Sequence, residues 1–165
     1  MNTNEIHYYK KALDFIAALG IETEHKILIS ESCFLPGLMI QQGKIVIDEN
    51  GPQYPGDILH EAGHIAVVPS AERNELSGST IAKRKDAPAE EMMAIAWSYA
   101  ACIYLQIEPE FVFHNHGYRD GGTSIVENFK EGRFIGVPLL QWLQMTAAPG
   151  STAPGYPHMI KWMRD

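Results

Sequence analysis

Asp57-Ile58-Leu59-His60-Glu61-Ala62-Gly63-His64-Ile65-Ala66-Val67-Val68-Pro69 is the stretch on which the reading of this chain turns. Residues four apart share one face of a helix, so His60 and His64 point two imidazoles at one metal ion while Glu61 stands one residue round. Zinc at roughly 2.0–2.1 Å from each ring nitrogen needs two rings converging from one rigid wall, and a single helical turn supplies it. Glu61 is not a ligand from that position. It is placed as a general base toward a water on the metal, whose pKa falls to about 7 when three protein ligands leave the fourth position open. The apolar flanks, the small Ala62-Gly63 pair and the stop at Pro69 suit a buried active-site helix. The bland alternative is two helix histidines that satisfy core hydrogen bonds.

Composition sets bounds around this motif. The chain has 165 residues, 45% hydrophobic and 20% charged, which suits a single domain over 1–165 with its own core. A formal net charge of -7 argues against a nucleic-acid surface. Lys83-Arg84-Lys85 is too short for a basic patch and reads as a solvated loop. No apolar run approaches 18 residues, so no membrane span is expected. Met1-Asn2-Thr3-Asn4-Glu5 lacks the basic and apolar regions of a secretory signal, and a cytoplasmic location is the default. Cys33 and Cys102 read as isolated thiols.

Outward from the motif, the pattern predicts a helix over about 4–19 (Ile6, Tyr9, Leu13, Ile16, Ala17) that ends at Gly20 and packs on a sheet. Glu24 to Ser30 reads as a strand around Ile27-Leu28-Ile29, followed by a turn over Cys33 to Pro36. Leu38-Met39-Ile40-Gln41, the turn Gln42-Gly43 and Lys44-Ile45-Val46-Ile47-Asp48 read as a β-hairpin. One of its strands lies at a sheet edge, where an extended peptide could add as a further strand, or it simply builds the core. Ser70 to Ala87 is polar and reads as a surface loop. From Asp86 or Ala87 to about Gln106, with Pro88 in the first turn, the chain is apolar almost all round, as a central buried helix should be.

Two histidines alone do not make a zinc site. An extended histidine motif would need glycine at position 67 and histidine at position 70, where the chain has Val67 and Ser70. The other standard solution is a glutamate on a following helix, and Glu90 or Glu91 heads the next one. Glu91 shares a face with Ile95, Ser98 and Cys102, and Glu90 with Met93, Ala94 and Trp97; the residues leave both open. Acids in a first turn also need no metal, since the helix dipole favours them by about 0.3–1 kcal/mol each.

The order of hairpin, Asp-Ile-Leu-His-Glu-Ala-Gly-His helix, polar loop and Glu-led apolar helix resembles the small gluzincin-type zinc peptidases, including the ImmA/IrrE-like group. The resemblance covers about residues 35–105. In that group the third ligand is a glutamate followed, a helical turn on, by an apolar-Ala pair, and Glu91 with Ile95-Ala96 matches that frame. Met92 stands where the family has a small residue, and Ala62 where it has leucine. The resemblance implies zinc-dependent hydrolysis of a peptide or protein substrate, often a regulatory protein.

A second stretch with chemistry is His114-Asn115-His116-Gly117-Tyr118-Arg119-Asp120-Gly121-Gly122, which follows a short strand expected at Phe111-Val112-Phe113. Amide hydrolysis builds negative charge on the carbonyl oxygen, and Tyr118, His114 or His116 could donate to it, with Tyr99 behind them. The alternative is a polar loop whose histidines cap turns. A second metal site from His114 and His116 lacks an evident third ligand. Ser124 to Glu131 reads as a helix capped by Ser124. Phe134 to Val137 leads into another, begun at Pro138 and running through Met145. Ala147 to Pro157 is turn-rich, and the apolar end docks back on the domain.

The expectation is therefore a single zincin-like α+β domain, with the motif helix and the Glu-led helix packed on a small, mostly antiparallel sheet. Zn2+ would be held by His60, His64 and Glu91, with Glu61 as base. The competing class is a binding or regulatory module that keeps the zinc helix as scaffold and cleaves nothing; a third is a hydrolase of small amides.

Overall fold

The computed structural model describes residues 1–28, 35–118 and 121–165. The end of the expected Glu24–Ser30 strand, the Cys33-Phe34 half of the Cys33–Pro36 turn, Arg119 and Asp120 lie outside the described residues. The fold is α+β. The elements, in chain order, are helix α1 (Thr3–Ala18), strands β1 (Thr23–Lys26), β2 (Leu38–Gln41) and β3 (Lys44–Asp48), and helices α2 (Asp57–Val67), α3 (Gly78–Ile81), α4 (Ala87–Leu105), α5 (Gly122–Lys130) and α6 (Val137–Trp142).

The hairpin forms as its residues dictate. Gln42 and Gly43 both have positive φ, 52° and 73°, the backbone twist a two-residue turn needs to match the twist of its strands. Leu38 pairs with Ile47 and Gln41 with Lys44, antiparallel. The sheet is not mostly antiparallel, however. Its order is β1-β3-β2, and β1 runs parallel to β3, with Thr23 opposite Ile45. All four β1 side chains are exposed, so that strand carries no apolar alternation to reveal how it pairs.

Every residue of α2 is buried. It packs chiefly on α4 and also meets α1, β2 and β3, so the motif helix lies at the centre of the molecule. Fully buried Ser98 donates its hydroxyl to the carbonyls of Ala94, at 2.7 Å, and of Leu59, at 3.3 Å, which links the two helices. Helix α4 starts with Pro88 in its first turn and stops at Gln106, where the backbone turns left-handed with φ 54°. Both ends agree with the sequence.

Several local expectations give way to packing. Helix α1 is capped by Asn2 and Glu5 in a reciprocal pair, and it packs chiefly on α2. Its buried face is Ala12, Phe15 and Ile16, while Ile6 is exposed, because Phe15 turns toward Trp97 and Trp162. The stretch after Pro69 is a 3-10 turn (Ser70–Glu75) followed by the short α3, not an irregular loop. Pro109–Phe111 forms a 3-10 turn where a strand was expected. Helix α5 begins at Gly122 without a Ser124 cap, and α6 ends at Trp142.

The carboxy-terminal residues do dock back, and they complete α2. A helix leaves its last carbonyls unpaired, a cost when they are buried. Here Arg73 Nε donates to the Ile65 carbonyl at 3.2 Å, the Arg164 backbone N–H to that of Ala66 at 2.8 Å, and the Arg164 guanidinium to that of Val67 at 3.2 Å. Arg73 also holds the Arg164 carbonyl, and Trp97 Nε1 donates to the Trp162 carbonyl at 2.8 Å. No helix among the described residues is long and apolar enough to cross a membrane.

Candidate metal centre

His60 and His64 lie one turn apart on α2, and Glu91 enters from the first turns of α4. The two Nε2 atoms are 3.1 Å apart, and Glu91 places Oε1 at 3.6 Å from His60 Nε2 and Oε2 at 3.2 Å from His64 Nε2. Two ligands held at 2.0–2.1 Å by one tetrahedral ion stand roughly 3.3–3.4 Å apart, and the distance between the two Nε2 atoms and the nearest approach of Glu91 to each ring lie close to that spacing, with a different carboxylate oxygen nearest each histidine. The donor set, two imidazoles and a carboxylate, is one zinc accepts in hydrolytic sites. Among the described residues it is the one group of three such side chains whose ligand atoms converge, all within 4.8 Å of one another. No protein-family model, curated protein or solved structure matches the chain. The geometry alone carries the reading of the site.

The two adjacent acids part company here. Glu91 faces the histidines with its side chain 45% exposed, whereas Glu90 is 5% exposed and bound to Arg84. The expected ligand set His60, His64 and Glu91 is thus brought together, and Glu90 is engaged elsewhere.

Glu61 is buried with the two histidines. Burial pushes its carboxyl up to about 7, with His64 opposing the shift and the Asp57 and Glu91 carboxylates adding to it. Burial, with the charge of His64, drives the His60 imidazole down to about 3. Burial also pulls His64 down, but its hydrogen bond to Glu91 and the charges of Glu61, Glu91 and Glu90 outweigh that and leave it raised. For Glu91 burial raises the carboxyl, and the two histidines reverse the sign, so it is held below its usual range.

These directions predict how metal uptake depends on pH. An ion at the triangle must displace the proton of His64, and its positive charge favours ionised Glu61. Affinity for an ion held there is therefore expected to fall as pH drops below neutral, and uptake at pH 7 would release protons, to which His60 adds none. Calorimetric titration in buffers of different ionisation enthalpy checks this; uptake without proton release would contradict it.

Tyr118 stands beside the ligands. Its ring meets that of His60 edge-on, with centroids 5.4 Å apart, and its buried hydroxyl has no hydrogen-bond partner among the described residues. Burial, with the charges of Asp57 and Glu91, drives the phenol well above its usual value, so it keeps its proton and remains a donor at neutral pH. His60 is oriented by Tyr118 and by the His64 ring, 4.6 Å away. Its Nδ1 has no partner among the described residues, where zinc histidines usually bond a carboxylate or carbonyl.

His114 pairs with Asp57. Its Nε2 lies 3.0 Å from Asp57 Oδ1, and its ring stacks on Tyr54 at 4.2 Å. His116 also stacks on Tyr54, with centroids 5.5 Å apart, and lies 6.4 Å from His114. Tyr99 is in the core, stacked on Phe129 at 4.7 Å. Sequence reasoning passed over Asp57, a nearly buried acid at the start of α2 and one turn before Glu61. Its carboxyl is raised by burial and partly brought back by His114. An acid in a first turn is commonplace, so nothing in the sequence set it apart. Arg84 was also missed; read as part of a solvated loop, it is an ion-pair centre with a largely buried side chain.

Proposed function

We propose that the chain is a zinc-dependent metallopeptidase of the zincin-like, small gluzincin type, akin to the ImmA/IrrE-like group. The observation that carries this reading is the convergence of one ligand atom each from His60, His64 and Glu91, all within 4.8 Å of one another, with buried Glu61 on the same helix as the histidines. Zinc held there supplies Lewis acidity for the scissile carbonyl and brings the pKa of a water to about 7.

The protein's own groups do the rest. Glu61, ionised once a dication lies beside it, takes a proton from the attacking water and passes it to the leaving amine nitrogen. The free hydroxyl of Tyr118 supports its assignment as donor to the oxygen on which negative charge develops. Asp57 ties His114 to the start of α2, which supports a role for His114 in holding the Tyr118-bearing segment against the metal helix. His60, Glu61 and His64 are buried while Glu91 is 45% exposed, so the site opens to solvent on the Glu91 side.

Metal analysis and a peptide screen test the proposal together. The purified protein should hold about one zinc per chain, and His64→Ala should lose it along with any cleavage of a mixed peptide library followed by mass spectrometry. Wild-type protein that takes up no zinc would remove the metal chemistry. Zinc uptake with no peptide cleaved, but with small amides hydrolysed, would move the substrate class.

A further inference from the structure

Arg84 joins three segments. Its Nε and Nη2 donate to Oε2 and Oε1 of Glu90 at 2.7 and 2.9 Å, and Nη2 also donates to Oε2 of Glu72 at 2.6 Å. The contact with Glu90 is two-pronged, the form in which a guanidinium binds a carboxylate most strongly and in a fixed orientation. Glu72 belongs to the turn that follows α2 and Glu90 to the first turn of α4, so one side chain ties together the helices that carry the candidate ligands.

The environment of Glu90 makes this pairing consequential. A carboxylate 5% exposed must bond a cation or stay neutral, and it sits one residue from Glu91, close enough for its charge to act on His64. Were Arg84 absent, Glu90 would be a buried carboxylate deprived of the cation it pairs with here.

We propose that Arg84 is a positioning residue for the metal centre: by gripping Glu90 it leaves Glu91 as the one carboxylate of the pair facing His60 and His64, and keeps the fourth coordination position free of a protein ligand. This rests on the metal reading above. It explains how two adjacent glutamates at a helix start serve a site that has room for only one.

Cobalt(II) is the probe, because its visible absorption reports coordination and an open position on it takes up azide. Wild-type cobalt protein should bind azide. R84M should show an altered cobalt spectrum and azide affinity lowered at least about tenfold, the scale of losses from outer contacts of a metal site. R84M/E90Q, which removes the released carboxylate, should return to within about threefold of wild type, since a double-mutant cycle isolates the coupling of the two residues. A merely structural tie would leave the double variant as impaired as R84M. Cobalt-loaded R84M that takes azide as wild type does, a double variant no better than R84M, or wild-type cobalt protein that takes up no azide would overturn the proposal. Wild-type protein that takes up no cobalt would overturn the metal reading itself. If R84M does not fold, R84Q, which offers Glu90 one amide donor, replaces it in the same comparison, and the same outcomes support or overturn the proposal.

Discussion

Glu61→Gln is expected to leave zinc bound at the wild-type ratio and to lower peptide hydrolysis by about 10²–10⁴-fold, the contribution usual for a positioned acid–base group. The substitution is nearly isosteric, so the buried site keeps its shape, and Glu61 is not one of the three converging ligands. The amide has no carboxylate to accept a proton, which removes the base while sparing the metal. The loss should appear in kcat with KM little changed, because the interaction is made in the transition state. Loss of zinc from the variant would mean that Glu61 holds the ion; undiminished hydrolysis would take the base away from it. A biological effect of the protein that survived Glu61→Gln would favour the binding module over the enzyme.

Gly63→Leu is expected to cost at least about 2–3 kcal/mol of stability and to abolish zinc binding even in the fraction that folds, since overpacking a close contact forces the backbone apart. Gly63 lies where α2 crosses α4. A β-carbon there would stand 3.0 Å from the Ala94 carbonyl oxygen, 3.2 Å from its Cα and 3.3 Å from its Cβ. Alanine nearly fits: better helix propensity, worth about 1 kcal/mol, offsets a shift of a few tenths of an ångström in the neighbour, so Gly63→Ala should stay within about 1 kcal/mol of wild type. Leucine has no such room. Separating the helices carries Glu91 away from His60 and His64, and sides of 3.1, 3.2 and 3.6 Å do not survive a displacement of an ångström or more. Thermal melts and zinc titration of the two variants check the pair; a leucine variant with wild-type zinc affinity would show that the helix crossing does not set the site.

Gly63 also shows why part of this molecule was legible and part was not. The i, i+4 spacing of His60 and His64, the Gln42-Gly43 turn and the Pro88 start of α4 are local patterns. Each depends on a few neighbouring residues whose geometry the backbone dictates, so the elements that form the site could be read directly. The expected strand at Phe111-Val112-Phe113 was a local reading that failed, because a short apolar run does not distinguish a strand from a tight turn under the core. The exposed β1 gave no alternation from which to infer its parallel partner.

What the sequence by itself determined is the motif helix with its histidine pair and Glu61, the hairpin and the buried helix that follows, all written within single turns of backbone. Tertiary structure alone decided that Glu91 and not Glu90 meets the histidines, that Tyr118 reaches His60 while His114 turns to Asp57, and that Arg84, Arg73 and Arg164 tie down the ends of the two helices. The reason is one of range. A carboxylate's choice of partner depends on which charge lies within a few ångström, and residues that distant in the chain are brought to that separation only by packing.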